Sequence, residues 1–330
     1  MIRFSIIIPV YDRPEEVREL LESLSLQTQK NFEILLIEDG STQKCDQVAE
    51  EYKSKLEIKY FFKENSGRSI TRNYGMERAS GDYFILFDSD CIIPPQYFET
   101  LNQALQDDYT DAFGGPDNAN ESFTSMQKAI NYSMTSFFTT GGIRGGREAM
   151  GKFHPRSFNM GLSKEVFEKV GGFENMFGED IDLSIRIIKA GFKTRLLKNV
   201  FVYHKRRVSL KKFYKQVYTF GMARITLFKK YPDSLKLVHA LPSLMLLMGL
   251  SVVVLAIFLC YWFLIPIAAY LVIIFLDSLF KNKKLYIAAL SIITSFIQIA
   301  GYGTGFLLAF VKKVIFGKKD SDDFIQRFYK

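Results

Sequence analysis

Asp88-Ser89-Asp90 follows the apolar run Tyr83 to Phe87, so two carboxylates one residue apart stand at the end of a strand-like segment. Such a pair can share one hard cation, and Mg²⁺ accepts one or two carboxylates plus phosphate oxygens in place of a complete protein cage. A cation held this way neutralises charge developing on a diphosphate leaving group. Taken alone, Asp-x-Asp also reads as a solvated acidic pair. Arg68 and Arg72 lie one helical turn apart and can face one anion together, while Gly67 permits close backbone approach at the helix start. A solvated basic face is the alternative. Glu179-Asp180 are adjacent carboxylates at the start of a helical pattern, where the helix dipole also favours them. His204 ends the apolar run Val200 to Tyr203, and a neutral imidazole is a competent ligand, although a lone His is more often structural.

The elements that position these residues follow a repeating rhythm. Phe4 to Val10 is a β-branched run, and Pro14 to Gln27 follows with Leu20, Leu21 and Leu24 at helical spacing. Pro14 suits a first helical turn, where its missing N–H costs nothing. The cycle recurs in Glu33 to Ile37 with Gln43 to Lys53, Glu57 to Phe62 with Arg68 to Ala79, and Tyr83 to Phe87 with Gln96 to Leu105. Four such cycles predict an α/β fold with a mostly parallel sheet and helices on both faces. Ligands bind such sheets beyond the carboxyl ends of the strands, at the switch in strand order. Carboxylates stand at three of those ends: Pro9-Val10-Tyr11-Asp12, Glu38-Asp39-Gly40-Ser41 and Asp88-Ser89-Asp90.

The rhythm breaks between Phe113 and Gly151, a glycine-rich stretch with a helix expected over Ser122 to Phe138. A long irregular segment in a compact domain is usually a functional loop. Its Arg144 and Arg147, with Arg156, are expected to cover the ligand site. Patterns resume at Glu165 to Val170, Asp180 to Ala190 and Thr194 to Tyr203.

Charge and hydropathy then define an anchor. The net charge of +8 is local, because Ser184 to Pro232 contains no Asp or Glu, whereas Ala240 to Leu276 contains no charged residue at all. Basic residues just before apolar spans fit the positive-inside rule and anionic headgroups, and no recognition motif supports a nucleic-acid partner. Ser209 to Tyr231 reads as a basic amphipathic helix, lying in the headgroup plane or packing on the soluble domain. The uncharged run can supply two spans, and Leu285 to Val311 a third, since a span needs about 20 apolar residues. Three spans would strand Lys312, Lys313, Lys318 and Lys319 on the outer face, so two or three remain open. The expected domains are 1–208 catalytic, 209–236 amphipathic linker, 237–315 membrane and 316–330 polar tail. Cys45, Cys91 and Cys260 are too scattered for a disulfide framework or zinc site, which fits a reducing compartment. The apolar stretch ending at Pro9 is too short for a signal-peptide core, so the catalytic domain is expected on the cytoplasmic side of the inner membrane.

In order along the chain, these motifs resemble the family 2 glycosyltransferases of the GT-A fold. Ile6-Ile7-Ile8-Pro9-Val10-Tyr11-Asp12-Arg13 is similar to the family's first strand, with Asp12 where Asn is usual. Ser25-Leu26-Gln27-Thr28, Glu38-Asp39-Gly40-Ser41-Thr42, Asn65-Ser66-Gly67-Arg68, Thr71-Arg72-Asn73-Tyr74-Gly75 and Asp88-Ser89-Asp90 continue the match. Asn159-Met160-Gly161, Gly171-Gly172-Phe173 and Gly178-Glu179-Asp180-Ile181-Asp182-Leu183 complete it. The resemblance implies a bacterial, membrane-anchored enzyme of cell-surface polysaccharide biosynthesis. It would transfer a sugar with inversion from a nucleotide-diphosphate sugar, UDP-sugar favoured, to a lipid-linked or glycan acceptor. Asp39, Pro9, Tyr11 and Asp12 would hold the base, and Gly67, Arg68, Arg72 and Asp88 the diphosphate. Mg²⁺ or Mn²⁺ would sit on Asp88, Asp90 and His204. Asp180 would be the base, supported by Glu179, with Asn159, Met160 and Glu179 lining the acceptor pocket. At the strand end Asp39 could instead be a turn residue before Gly40. A processive synthase is disfavoured because Gln216-Val217-Tyr218-Thr219-Phe220 does not match a Q-x-x-R-W motif. A non-catalytic sugar-binding module is disfavoured by the intact Asp88, Asp90 and Asp180.

Overall fold

The computed structural model describes residues 2–118, 123–141, 153–205 and 209–318. In chain order the elements are β1 (Phe4–Val10), α1 (Pro14–Ser25), β2 (Phe32–Asp39), α2 (Asp46–Tyr52), β3 (Ile58–Lys63), α3 (Arg68–Met76), β4 (Tyr83–Phe87), β5 (Cys91–Ile92), α4 (Tyr97–Asp107), β6 (Ala112–Gly114) and β7 (Asp117–Asn118). After them come α5 (Ser125–Thr135), α6 (Phe137–Thr140), β8 (Asn159–Ser163), α7 (Lys164–Val170), α8 (Glu179–Lys189), β9 (Thr194–Leu196) and β10 (Val202–His204). The chain continues with α9 (Leu210–Lys230), α10 (Leu237–Phe258), α11 (Ile265–Asn282) and α12 (Leu285–Phe310).

These elements form two compact units. In the first, a seven-stranded sheet has the order β3-β2-β1-β4-β8-β6-β9. β1 pairs in parallel with β2 and β4, and β2 with β3, while β8 runs antiparallel to both β4 and β6. The mostly parallel sheet read from the cycles is therefore present, with β8 the reversed strand. β8 gave no sequence signal because Asn159-Met160-Gly161-Leu162-Ser163 is short and carries a glycine and two polar residues. Alternating side chains bury both faces. Ile6 and Ile8 pack with Val17, Leu20 and Leu101 on one side, and Ile7 packs with Met76, Leu86 and Leu183 on the other. The run Thr194 to Tyr203 divides between two sheets, since β10 joins β5 and β7 in a small second sheet.

The second unit holds α5 and α6 together with α9 to α12. Residues 123–141 thus group with the C-terminal helices, although they fall inside the 1–208 domain expected from sequence. Arg144 and Arg147 lie outside the described residues, as do residues 319–330 of the tail. The helix expected over Ser122 to Phe138 is present as α5, opened by a capping box between Thr124 and Gln127. It is tied into this unit by Tyr132, whose hydroxyl donates to Asp277 Oδ2 at 2.7 Å, and by Ala129, whose carbonyl accepts from Thr294 Oγ1 at 3.0 Å. α9 buries Phe213, Val217 and Leu227, and this face is spent on protein. Gly301 and Gly305 of α12 let it approach: a methyl at Gly305 would stand 2.1 Å from the Tyr218 carbonyl oxygen, and one at Gly301 would stand 2.5 Å from Val217 Cγ2. Small residues four apart are the usual means of bringing two apolar helices close. Three helices, Leu237–Phe258, Tyr261–Asn282 and Leu285–Ile315, are long and apolar enough to cross a membrane.

Gly305→Ala should therefore force α9 and α12 apart and cost about 1–3 kcal/mol through overpacking. Thermal unfolding of the purified protein in detergent checks this against Gly249→Ala, where a methyl meets nothing within 4 Å and no loss is expected.

Candidate active site

The order of the sheet reverses at β1, whose neighbours β2 and β4 are reached in opposite directions. Residues just beyond the carboxyl ends of β1 and β4 consequently face each other. Arg13 after β1 meets Asp90 after β4, with Nη1 2.7 Å from Oδ2. Asp12 adopts φ +51, a left-handed conformation that Asn and Asp tolerate best. Its Oδ1 accepts from the backbone N–H groups of Thr42 at 2.7 Å and Gln43 at 2.8 Å. A carboxylate in the place of Asn keeps both bonds because only acceptor oxygens are needed.

α3 organises the next layer. Asp39, at the end of β2, accepts from the N–H of Ser66 with Oδ1 and of Gly67 with Oδ2, each at 2.9 Å, and pairs with Lys63. Gly67, at φ +90, then turns the chain into the helix. From the first turn, Arg68 grips Glu179 in a forked pair, Nε to Oε1 at 2.7 Å and Nη2 to Oε2 at 2.9 Å. One turn later Arg72 is 1% exposed and divides its guanidinium between two carboxylates: Nη2 lies 2.7 Å from Asp88 Oδ1, and Nη1 lies 3.4 Å from Glu179 Oε1. The two arginines do share a helical face, and in this structure it is turned to the acidic groups.

The cation candidates come together through the small sheet. β10 pairs antiparallel with β5, setting His204 opposite Cys91 immediately after the Asp-x-Asp. His204 Nε2 lies 3.0 Å from Asp90 Oδ1 and 3.9 Å from Asp88 Oδ2, and the ring stacks on Phe158 with centroids 5.0 Å apart. Among the described residues, Asp90, Cys91 and His204 stand close enough together to hold one metal ion, with Asp88 Oδ2 3.9 Å from the His204 Nε2. Oxygen-rich sites suit Mg²⁺ and Mn²⁺, and the imidazole favours Mn²⁺. Cys91 belongs to this group; burial pushes its thiol well above its ordinary value, and its Sγ donates to the Phe158 carbonyl at 3.6 Å. Asp117 Oδ2 stands 4.0 Å from His204 Nδ1, on the side where carboxylates commonly orient metal-binding imidazoles.

Asp180 occupies the first turn of α8, after the left-handed Gly178. Burial would raise its carboxyl, but Arg156 and Arg68, with the Ile181 N–H at 2.8 Å, together hold it below the usual carboxylate range. Arg156 Nη1 is 3.4 Å from Asp180 Oδ2. Behind it, buried Asp182 pairs with Arg186, which also donates to the Val170 and Gly172 carbonyls and so fixes the loop before α8.

Asp88, Asp90, His204, Glu179, Arg68 and Arg72 form one connected network, with Asp180 adjoining Glu179. Pro9 is half-buried and Tyr11 is 40% exposed at the end of β1, beside the loop that Asp12 holds. Asn159 and Met160 require correction. Both are 0% exposed in β8, where Met160 fills the core and Asn159 is used up between the Tyr97 hydroxyl at 2.6 Å and the Val200 carbonyl at 2.9 Å. Neither lines a pocket. Residue reasoning assigned no site role to Arg13 or Asp117 and placed Arg156 only in a covering loop. Arg13 finds Asp90 across 77 positions, a pairing no local pattern announces.

Comparison with known proteins bears on the family and the fold. An uncharacterised glycosyltransferase of Rickettsia felis is 44% identical over 88 residues, 27% of this chain and 15% of that protein. The glycosyltransferase GlyA of Streptococcus pneumoniae is 28% identical over 203 residues, 60% of this chain and 25% of that protein. The chain thus spans a quarter or less of these two relatives, whereas it matches 80% of the glycosyltransferase AglE of Haloferax volcanii, at 26% identity over 74% of its own length. Among solved structures, the mannosyltransferase PcManGT of Pyrobaculum calidifontis, in complex with GDP-Man and Mn²⁺, superposes with a TM-score of 0.58 and 14% identity. The overlay covers 96% of this chain and 88% of that one, a likeness of fold. Residues 5–171, half of the chain, match the profile of "Glycosyl transferase family 2", and the protein belongs to that family.

Proposed function

We propose that the protein is a membrane-anchored, inverting glycosyltransferase. It moves a sugar from a nucleotide-diphosphate donor, a UDP-sugar by preference, to a lipid-linked acceptor at the cytoplasmic face, in the assembly of a cell-surface polysaccharide. The observation that carries the reading is the joining of Asp88, Asp90 and His204 to the Glu179-Asp180 pair through one guanidinium, that of Arg72.

The base of the donor lies by Asp39, Pro9, Tyr11 and Asp12, and its diphosphate by Gly67 and the arginines of α3. Asp88, Asp90 and His204 would hold a divalent cation, which would supply positive charge to the departing diphosphate. Arg68 and Arg72 hold Glu179 against the acceptor side and keep Asp88 aimed. Asp180, ionised throughout the neutral range, takes the proton of the acceptor hydroxyl. That oxygen then bonds to the anomeric carbon as the bond to the diphosphate oxygen breaks on the opposite side. A weak base suffices, because the nucleoside diphosphate leaves as a stabilised anion.

The direct test incubates membranes containing the protein with labelled UDP-, GDP- and dTDP-sugars, with and without Mn²⁺, and follows label into lipid extract. Label from one donor, dependent on the metal, is expected; none from any donor with any metal removes the proposal. Asp180→Asn should lower kcat by about 10²–10⁴-fold while leaving donor KM close to wild type, since only proton transfer is lost. Near-wild-type turnover would remove Asp180 as the base. Asp90→Ala should raise the Mn²⁺ concentration needed for half-maximal activity at least tenfold, with Mn²⁺ binding by calorimetry weakened in parallel. The pH dependence carries a sign. Asp180 works as the carboxylate, so kcat/KM falls on acidification through a pKa held below the usual range. Arg156 is the first of the groups that oppose burial at Asp180, so Arg156→Ala should move that acid limb to higher pH.

A further inference from the structure

The three apolar helices of the second unit are not equivalent. α10 buries only His239, Pro242 and Ser243, all within two turns of its start, and α11 buries only Ile274 and Ser278. Beyond those points large apolar side chains of both helices stand exposed, among them Leu247, Met248, Leu250, Phe258, Ile265 and Val272. They have the surface of lipid-surrounded spans. α12 instead buries half of its residues, polar Ser291, Thr294, Ser295 and Gln298 among them.

The decisive fact is where α10 and α11 meet α12. Ser278 of α11 bonds Ser291 of α12, Oγ to Oγ, at 2.7 Å. Ser243 of α10 donates to the Gly303 carbonyl at 3.4 Å, and a methyl on Gly303 would lie 3.1 Å from the Pro242 carbonyl oxygen. Ser291 and Gly303 are twelve residues apart, about 18 Å along a helix. If α10, α11 and α12 crossed the bilayer side by side, α10 and α12 would begin at the same face. Ser243 would then stand about 9 Å above that face and Gly303 about 27 Å. A direct bond between them is incompatible with that arrangement. It is the expected contact if α12 runs across the bases of the other two.

We propose that α12 is a crossbar lying in the bilayer surface and that the chain crosses the membrane twice, through α10 and α11. The occupant of the free face of α12 is then the lipid surface itself. Its exposed residues, among them Tyr286, Ala289, Ile293, Phe296, Leu308 and Phe310, fall on one half of the helix surface, as an interfacial helix requires, in place of the all-round exposure of a span. Its other sides carry α5 and α9, and α9 has exposed Lys211, Lys212 and Lys215, charges that could not accompany it through hydrocarbon. Gln298 Oε1 and Ser295 Oγ are buried with no hydrogen-bond partner. Such atoms are costly at the bilayer centre and less so near the surface, within reach of water. Basic residues flank the helix at both ends, Lys281, Lys283 and Lys284 before it and Lys312 and Lys318 after it. With two crossings, both groups lie on one face and the charge bias is satisfied.

Cysteine accessibility tests this in the full-length protein in sealed vesicles of both orientations, using a membrane-impermeant maleimide. Cys260, in the turn between α10 and α11, is a native reporter, since Cys45 and Cys91 are buried. Lys284→Cys and Lys318→Cys, each in a Cys260→Ser background, report the two ends of α12. Both ends should label from one face and Cys260 from the other. Labelling of Lys318→Cys from the Cys260 side, or of all three from one side, overturns the proposal. Depth gives a second reading independent of those variants. Phe296→Trp in a Trp262→Phe background should be quenched at least twofold more by a spin label near the headgroups than by one deep in the acyl chains, and the reverse order would place α12 across the bilayer.

Discussion

The buried Arg72 guanidinium is the interaction on which the site depends. Asp88 and Glu179 come from different strands and helices and are both acidic, so bringing them together without a cation would meet repulsion in a poorly screened setting. A buried charge is itself costly and persists only when well paired. Here each party meets the need of the other: Arg72 answers two carboxylates, and they answer it. Removing one partner of such a buried group generally costs about 3–5 kcal/mol. The site and the stability of this corner of the fold are therefore one object.

Everything around that guanidinium serves to aim it. Asp39 fixes the start of α3 by taking the N–H groups of Ser66 and Gly67. The close seat of α3 on the sheet needs Gly75, where a methyl would stand 2.6 Å from Ile7 Cγ2. On the opposite side, Arg186 ties the loop before α8 to Asp182, which sets the direction of Glu179 and Asp180. The acidic cluster sits at the switch in strand order, where neighbouring loops diverge and leave a crevice.

Much of this was legible in the chain. β1 to β4 and α1 to α4 announced themselves by period, and the acidic strand ends announced the rim. Asp88, Asp90, His204 and the Glu179-Asp180 pair do assemble, and His204 was reachable because it ends an apolar run. What could not be read was pairing at a distance: Arg13 with Asp90, Asp117 beside His204, and Arg156 on Asp180 depend on topology alone. Asn159 and Met160 misled because a motif in sequence does not say which face of a strand meets solvent, and β8 lies inside the sheet with both faces covered.

The grouping of α5 and α6 with the C-terminal helices has a practical side. Buried Ala129, Ile130, Tyr132 and Met134 of α5 belong to the helical unit, although in sequence they lie between two stretches of the first unit. A soluble fragment stopped at residue 208 would keep this helix and lose the surface that covers it. Its exposed apolar side would favour self-association. Removing the C-terminal helices is therefore not a neutral way to prepare the first unit, and genetic boundaries drawn from the order of residues would cut through a packed body.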